Sequence, residues 1–206
     1  MSNENVTNNE NAKKPAISPR LMAGVGMLTA AAIVLQYLEF PLPFLIPPFI
    51  KMDFSDLPAL IGAFAYGPLA GVLIELIKNL IHCLASQSFT VGELSNFILG
   101  AVFTFTAGAI YKSKKSRKNA IIGGVIGALV MGIISFPSNL FIVYPFYYNF
   151  MPEEAVLGAY RLIIPGMKSV TQSLIVFNIP FTVIKGLLSV LISMLIYKPL
   201  SKILKG

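Results

Sequence analysis

The chain has 206 residues, of which 55% are hydrophobic and 12% charged, with a formal net charge of +7 and a mean hydropathy of +0.75. A water-soluble domain carries about 25% charged residues, so the composition excludes an ordinary soluble fold. The basic residues occupy the short gaps between apolar runs, which reads as the positive-inside bias of a membrane protein and not as a nucleic-acid footprint.

Residues 1–19 are polar and rich in Asn, and they read as a disordered cytoplasmic tail without the pattern of a cleaved signal. Apolar windows then predict spans at about 20–38, 57–84, 93–111, 119–145 and 171–197. In the first, Gly26 and Ala30 are spaced for close helix approach, either inside the bundle or against a partner subunit.

The segment 39–56, EFPLPFLIPPFIKMDFSD, holds four prolines that forbid a regular helix and too many apolar residues to hang in water. It is expected either to fold back as a lid over a pocket or to lie in the interface as an anchor. Asp53 and Asp56 are expected to serve as helix caps, with Pro58 tolerated in the first turn.

The run 57–84 is interrupted by Gly67-Pro68. One helix here gives five crossings and places the KSKKSRK loop and the C-terminal lysines outside. Two helices give six crossings and put all three basic clusters on the cytoplasmic side with both termini, so six is the prediction. The second helix is then short and must be shielded by its neighbours. Glu75 and Lys78, three apart on one face, are expected to pair, with Asn79 tying this helix to another. His82 and Cys83 are expected near a helix end; one cysteine permits no internal disulfide, and a structural zinc site needs about four ligands.

Further on, Glu93 and Asn96 sit on adjacent turns, as a cap and an interhelical bond or as a ligand contact, and Gly100 permits close packing. Pro137 frees a backbone carbonyl that Ser138 or Asn139 can satisfy; Asn139 also offers the donor and acceptor that suit the imide edge of a ring. In FNIPFTVIKGLL, Lys185 has no acidic residue one turn away, and a ligand contact is its expected role. No catalytic constellation or metal motif is present in the sequence, and there is no GxxxxGK[ST] with which to hydrolyse a nucleotide.

The segments EFPLPFLIPPF, MDFSDLPALIGAFAYGPLAGVLIELIKNL, SNFILG, the Asn139 region and PFTVIKG together resemble the riboflavin-specific substrate-binding (S) components of energy-coupling factor vitamin transporters, from about residue 21 to the C-terminus. The resemblance implies an all-α integral membrane protein of six helices, residues 20–206, in the cell membrane. It implies one vitamin bound near the outer face, a Pro-rich first loop that closes over it, and no bound cofactor. Its implied partners are a transmembrane coupling subunit and two ATP-binding subunits. The implied flavin contacts are Asn139, Lys185 and a backbone group around Leu84; Thr182 stands where the family usually has Asn. Asn178, one turn earlier, is a substitute for the missing amide. Asn96 and the lid's Leu45 complete the candidate ligand set, and Gly26 and Ala30 are the implied docking face. The alternatives are an S component for another vitamin or flavin relative, a membrane enzyme, or a structural membrane protein.

Overall fold

The computed structural model describes residues 18–86 and 88–205, so the expected tail lies outside the described residues except at its junction with the first helix. The fold is all-α apart from one small ribbon. Helix α1 runs Pro19–Tyr37, α2 Asp56–Tyr66, α3 Pro68–His82, α4 Val91–Ser113 and α5 Arg117–Ser138. Short helices α6 (Tyr144–Tyr147), α7 (Glu153–Arg161) and α8 (Val170–Ser173) precede the long α9 (Ile179–Lys205). Between α1 and α2, β1 (Phe40–Pro41) pairs antiparallel with β2 (Lys51–Met52), Phe40 opposite Met52.

Among the described residues, five helical stretches are long and apolar enough to cross a membrane: Pro19–Tyr37, Pro68–Ala85, Val91–Ser113, Arg117–Tyr147 and Val170–Ile196. Their outward faces carry large exposed apolar side chains, among them Leu73, Leu80, Ile133, Phe141 and Leu191. Such a surface is stable against lipid and not against water.

The break at Gly67-Pro68 is real. Gly67 adopts φ +104°, a conformation that suits glycine, and Pro68 opens α3 where its missing N–H costs nothing. The resulting α2 has 11 residues, about 16 Å at 1.5 Å per residue, too short to span alone. Every residue from Asp56 to Phe64 is buried, because α1, α3, α4 and α9 surround it.

Two helices widen into a π turn, at Asn139–Val143 before α6 and at Leu174–Asn178 before α9. The Tyr144 N–H donates to Asn139 O, and the Ile179 N–H to Leu174 O, each five residues back. Prolines explain both. Pro145 and Pro180 lack an N–H and crowd the carbonyl four residues earlier, at Phe141 and Val176, which lie inside the two widened turns. Of the two side chains offered for the carbonyl freed by Pro137, Ser138 does not bond it: its Oγ is buried without a hydrogen-bond partner among the described residues.

Candidate ligand-binding site

At the ribbon end of the bundle, the connections after α1, α3 and α6 meet over a cavity of about 400 Å³. This lies in the usual range for small-molecule sites, about 300–1,000 Å³. Its apolar wall comes from Ile46, Phe49, Leu99, Met131, Val143 and Phe181. Asn96, Asn139, Asn178, Thr182 and Lys185 add polar groups to the same lining. The π turns place two of these: Asn139 opens one turn and Asn178 closes the other. Asn178, Thr182 and Lys185 are spaced four and three residues apart, one stripe of a helix.

Beneath the cavity lies a buried charge cluster. Lys78 Nζ reaches Asp56 Oδ1 at 2.6 Å, Ser55 Oγ at 2.7 Å and Glu75 Oε2 at 2.8 Å. Lys185 Nζ reaches Asp53 Oδ2 at 2.8 Å and Asp56 Oδ2 at 3.5 Å. Three acidic side chains, Asp53, Asp56 and Glu75, therefore surround two ammonium groups, with Glu75 and Lys78 fully buried. Burial alone would raise the Asp53 carboxyl, but the adjacent Lys185 ammonium, followed by Lys78, outweighs it and holds Asp53 down at about 2. The Glu75–Lys78 pair matches expectation, and Asn79 ties α3 to α1 by accepting from Gln36 Nε2 at 2.9 Å. At Gly100 a Cβ would fall 2.3 Å from Glu75 Oε2, so any larger residue would push the Glu75 carboxyl from its place in the cluster.

Three readings of single residues are corrected. Asp56 does not cap α2: Ser55 holds the N-cap position, and the Asp56 carboxylate is turned inward to the two lysines. Asp53 accepts from the Ser55 N–H at 2.8 Å, but its second oxygen belongs to Lys185. Lys185 therefore does have an acidic partner, one that lies 132 residues away in the chain.

The other candidates divide. Asn96, Asn139, Thr182 and Lys185 line the cavity. Leu84, expected to offer a backbone group, and Leu45 are absent from the lining, the two residues being 87% and 64% exposed; beside Leu45, Ile46 turns inward instead. Gly26 and Ala30 lie on the exposed face of α1, and a Cβ on Gly26 would meet nothing within 4 Å. At the rim, Glu93 pairs with His82 Nδ1 at 2.8 Å and accepts from Ser86 and Ser88 at 2.9 and 3.0 Å. Sequence reasoning missed the roles of Tyr144 and Tyr160, which bond to Asn178. The helical period sets no register between segments this far apart, so no signal in the sequence indicated them.

An apolar helical bundle enclosing a cavity with a few buried polar groups defines a membrane-embedded small-molecule binding protein. Residues 20–197 match the family described as ECF transporter, substrate-specific component, and the chain belongs to that family. It is 38% identical over 181 residues to the riboflavin transporter RibU of Staphylococcus aureus, covering 88% of this chain and 90% of the relative. It is 32% identical over 176 residues to the riboflavin transporter FmnP of Bacillus subtilis, covering 84% and 87%. A solved S component of a bacterial ECF transporter superposes with a TM-score of 0.70 at 37% identity, covering 91% of this chain and 98% of that one.

Proposed function

We propose that this protein captures riboflavin as the S component of an ECF-type transporter and performs no chemistry on it. The observation that carries this reading is convergence. Asn139, Thr182 and Lys185, the side chains that the resemblance assigns to the flavin, come from two distant helices and line one cavity. The apolar wall suits the flat ring system, and the amide of Asn139 suits its imide edge. The ribbon loop, through Ile46, Pro48, Phe49 and Ile50, is the lid. Thr182 offers a hydroxyl where the family usually has a planar amide, and the ring bond there is correspondingly weaker.

A riboflavin fluorescence-quench titration of the purified protein in detergent tests the reading, with saturable one-to-one quenching expected. Absence of quenching by folded protein overturns it, and stabilisation by another vitamin would then name the cargo. In the same assay Asn139→Ala is expected to weaken binding about tenfold, the worth of roughly one hydrogen bond.

Both termini and the loop carrying Lys114, Lys115, Arg117 and Lys118 are assigned to the cytoplasm, with α2 as a sixth, short crossing. The ribbon end then faces outward and receives the vitamin. Energy comes from elsewhere: a coupling subunit docks on the face of α1 around Gly26 and Ala30, driven by two ATP-binding subunits. Small residues on an exposed helix face permit that close approach. Gly26→Leu with Ala30→Leu is expected to leave the riboflavin Kd unchanged and to abolish uptake in cells carrying the coupling subunits. Normal uptake by that variant would remove α1 as the docking face.

A further inference from the structure

Asn178 closes a ring of three buried hydrogen bonds. Tyr160 Oη lies 2.6 Å from Asn178 Oδ1, Asn178 Nδ2 lies 3.2 Å from Tyr144 Oη, and the two tyrosine hydroxyls bond to each other. The distances set the direction of the ring. A separation of 2.6 Å is that of an O–H···O bond, and 3.2 Å fits N–H···O. Tyr160 therefore donates to the amide oxygen, the amide N–H donates to Tyr144, and Tyr144 donates to Tyr160.

A proton count follows. Both phenolic hydrogens are committed within the ring, so Tyr144, which lines the cavity, has no hydrogen left to give a ligand. An asparagine amide has two N–H groups, and the ring uses one. The second N–H is the donor the ring leaves over, on a residue that lines the cavity one turn before Thr182. Tyr160 is fully buried and outside the cavity lining, and its hydroxyl holds the amide in this orientation.

We propose that Asn178 is a ligand-reading residue, giving its spare amide N–H to a hydrogen-bond acceptor of the ligand, a carbonyl oxygen or a ring nitrogen, and that Tyr160 is its positioning residue. The inference rests on the riboflavin reading above. It also supplies a function for the departure at Thr182: a planar amide is restored to the same helix stripe, one turn earlier, held by Tyr160 and Tyr144.

The test is a double-mutant cycle read by riboflavin titration, with the thermal midpoint of the ligand-free protein measured alongside. Asn178→Ala is expected to weaken binding about tenfold. Tyr160→Phe keeps the ring shape and is expected to weaken binding several-fold. Added to Asn178→Ala, it is expected to weaken binding no further, because Tyr160 acts only through the amide. A purely structural role for Tyr160 predicts instead the same loss in both backgrounds, and that result overturns the positioning role. Unchanged affinity in folded Asn178→Ala overturns the proposal alone, whereas a wild-type chain that binds no riboflavin overturns the flavin reading and this proposal together. If Asn178→Ala does not fold, Asn178→Ser, which leaves a hydroxyl for the tyrosines and is too short to reach the ligand, takes its place in the cycle with the same expected losses.

Discussion

Lys78→Ala is expected to destabilise the protein by about 3–5 kcal/mol, the cost of stranding buried charge by removing one partner. Lys78 is completely buried and bonds Asp56, Glu75 and Ser55 at once. Without it, Asp56 keeps only the 3.5 Å approach of Lys185, and Glu75 loses the one ammonium found within salt-bridge distance among the described residues. Thermal unfolding in detergent checks this, and a midpoint equal to wild type would refute it. Adding Glu75→Leu is expected to recover part of the loss, since an apolar group of similar volume carries no charge to strand. The same cluster joins α2 to α3 and the ribbon loop to α9, so its loss is expected to cost riboflavin binding as well.

Lys185→Ala is expected to weaken riboflavin binding by roughly 10- to 150-fold, the equivalent of about 1.5–3 kcal/mol for a hydrogen bond to a charged group. Sequence alone predicts that this variant folds normally. The structure alters that expectation, because Lys185 also neutralises Asp53 at 2.8 Å and so fastens the end of the ribbon loop to α9. The single variant is therefore expected to unfold earlier than wild type. Asp53→Asn in the Lys185→Ala background is expected to restore stability and not affinity. That split separates the two roles of the lysine: recovery of both would mean that Lys185 only holds the loop, and full affinity in the single variant would remove it from the site.

The two variants share a physical basis. A membrane interior has no water to hydrate an orphaned charge, so each ion must be matched by neighbours that the fold brings to it. That makes the cluster both a fastening for the bundle and the floor of the cavity, since Asp56 and Lys185 belong to both. On the proposed reading, a ligand that contacts Lys185 would meet an ammonium already oriented by Asp53, which would lower the ordering cost of binding.

Much of the architecture was legible in the residue order. Hydropathy located four of the five long spans to within a few residues, and the end of the run 57–84, since the length of an apolar run follows directly from bilayer thickness. Gly67-Pro68 announced the break before α3, because its glycine adopts a positive φ and its proline cannot continue a helix. The Glu75–Lys78 pair followed from helical spacing alone. These are local statements, each settled by residues within a turn or two.

Apart from the idle Ser138 hydroxyl and the exchange of Leu45 for Ile46 in the lid, the errors and omissions are long-range. Asp56 read as a cap because capping is the local use of an aspartate, whereas the burial of α2 on every side made an inward ion pair its better partner. Lys185 showed no acidic residue within a turn of itself, and the partner it has is 132 residues distant. The sequence by itself determined which segments lie in the membrane, where they break, and which polar residues they carry inside. Only the tertiary structure decided which of those polar groups meet: Asp53 with Lys185, Tyr160 with Asn178, and Asn139 with Thr182 around one cavity. The reason is that helical periodicity orients a side chain on its own helix but sets neither the rotation nor the depth of one helix against another. Those are set by the packing of small residues such as Gly100 and by the need to leave no buried charge alone.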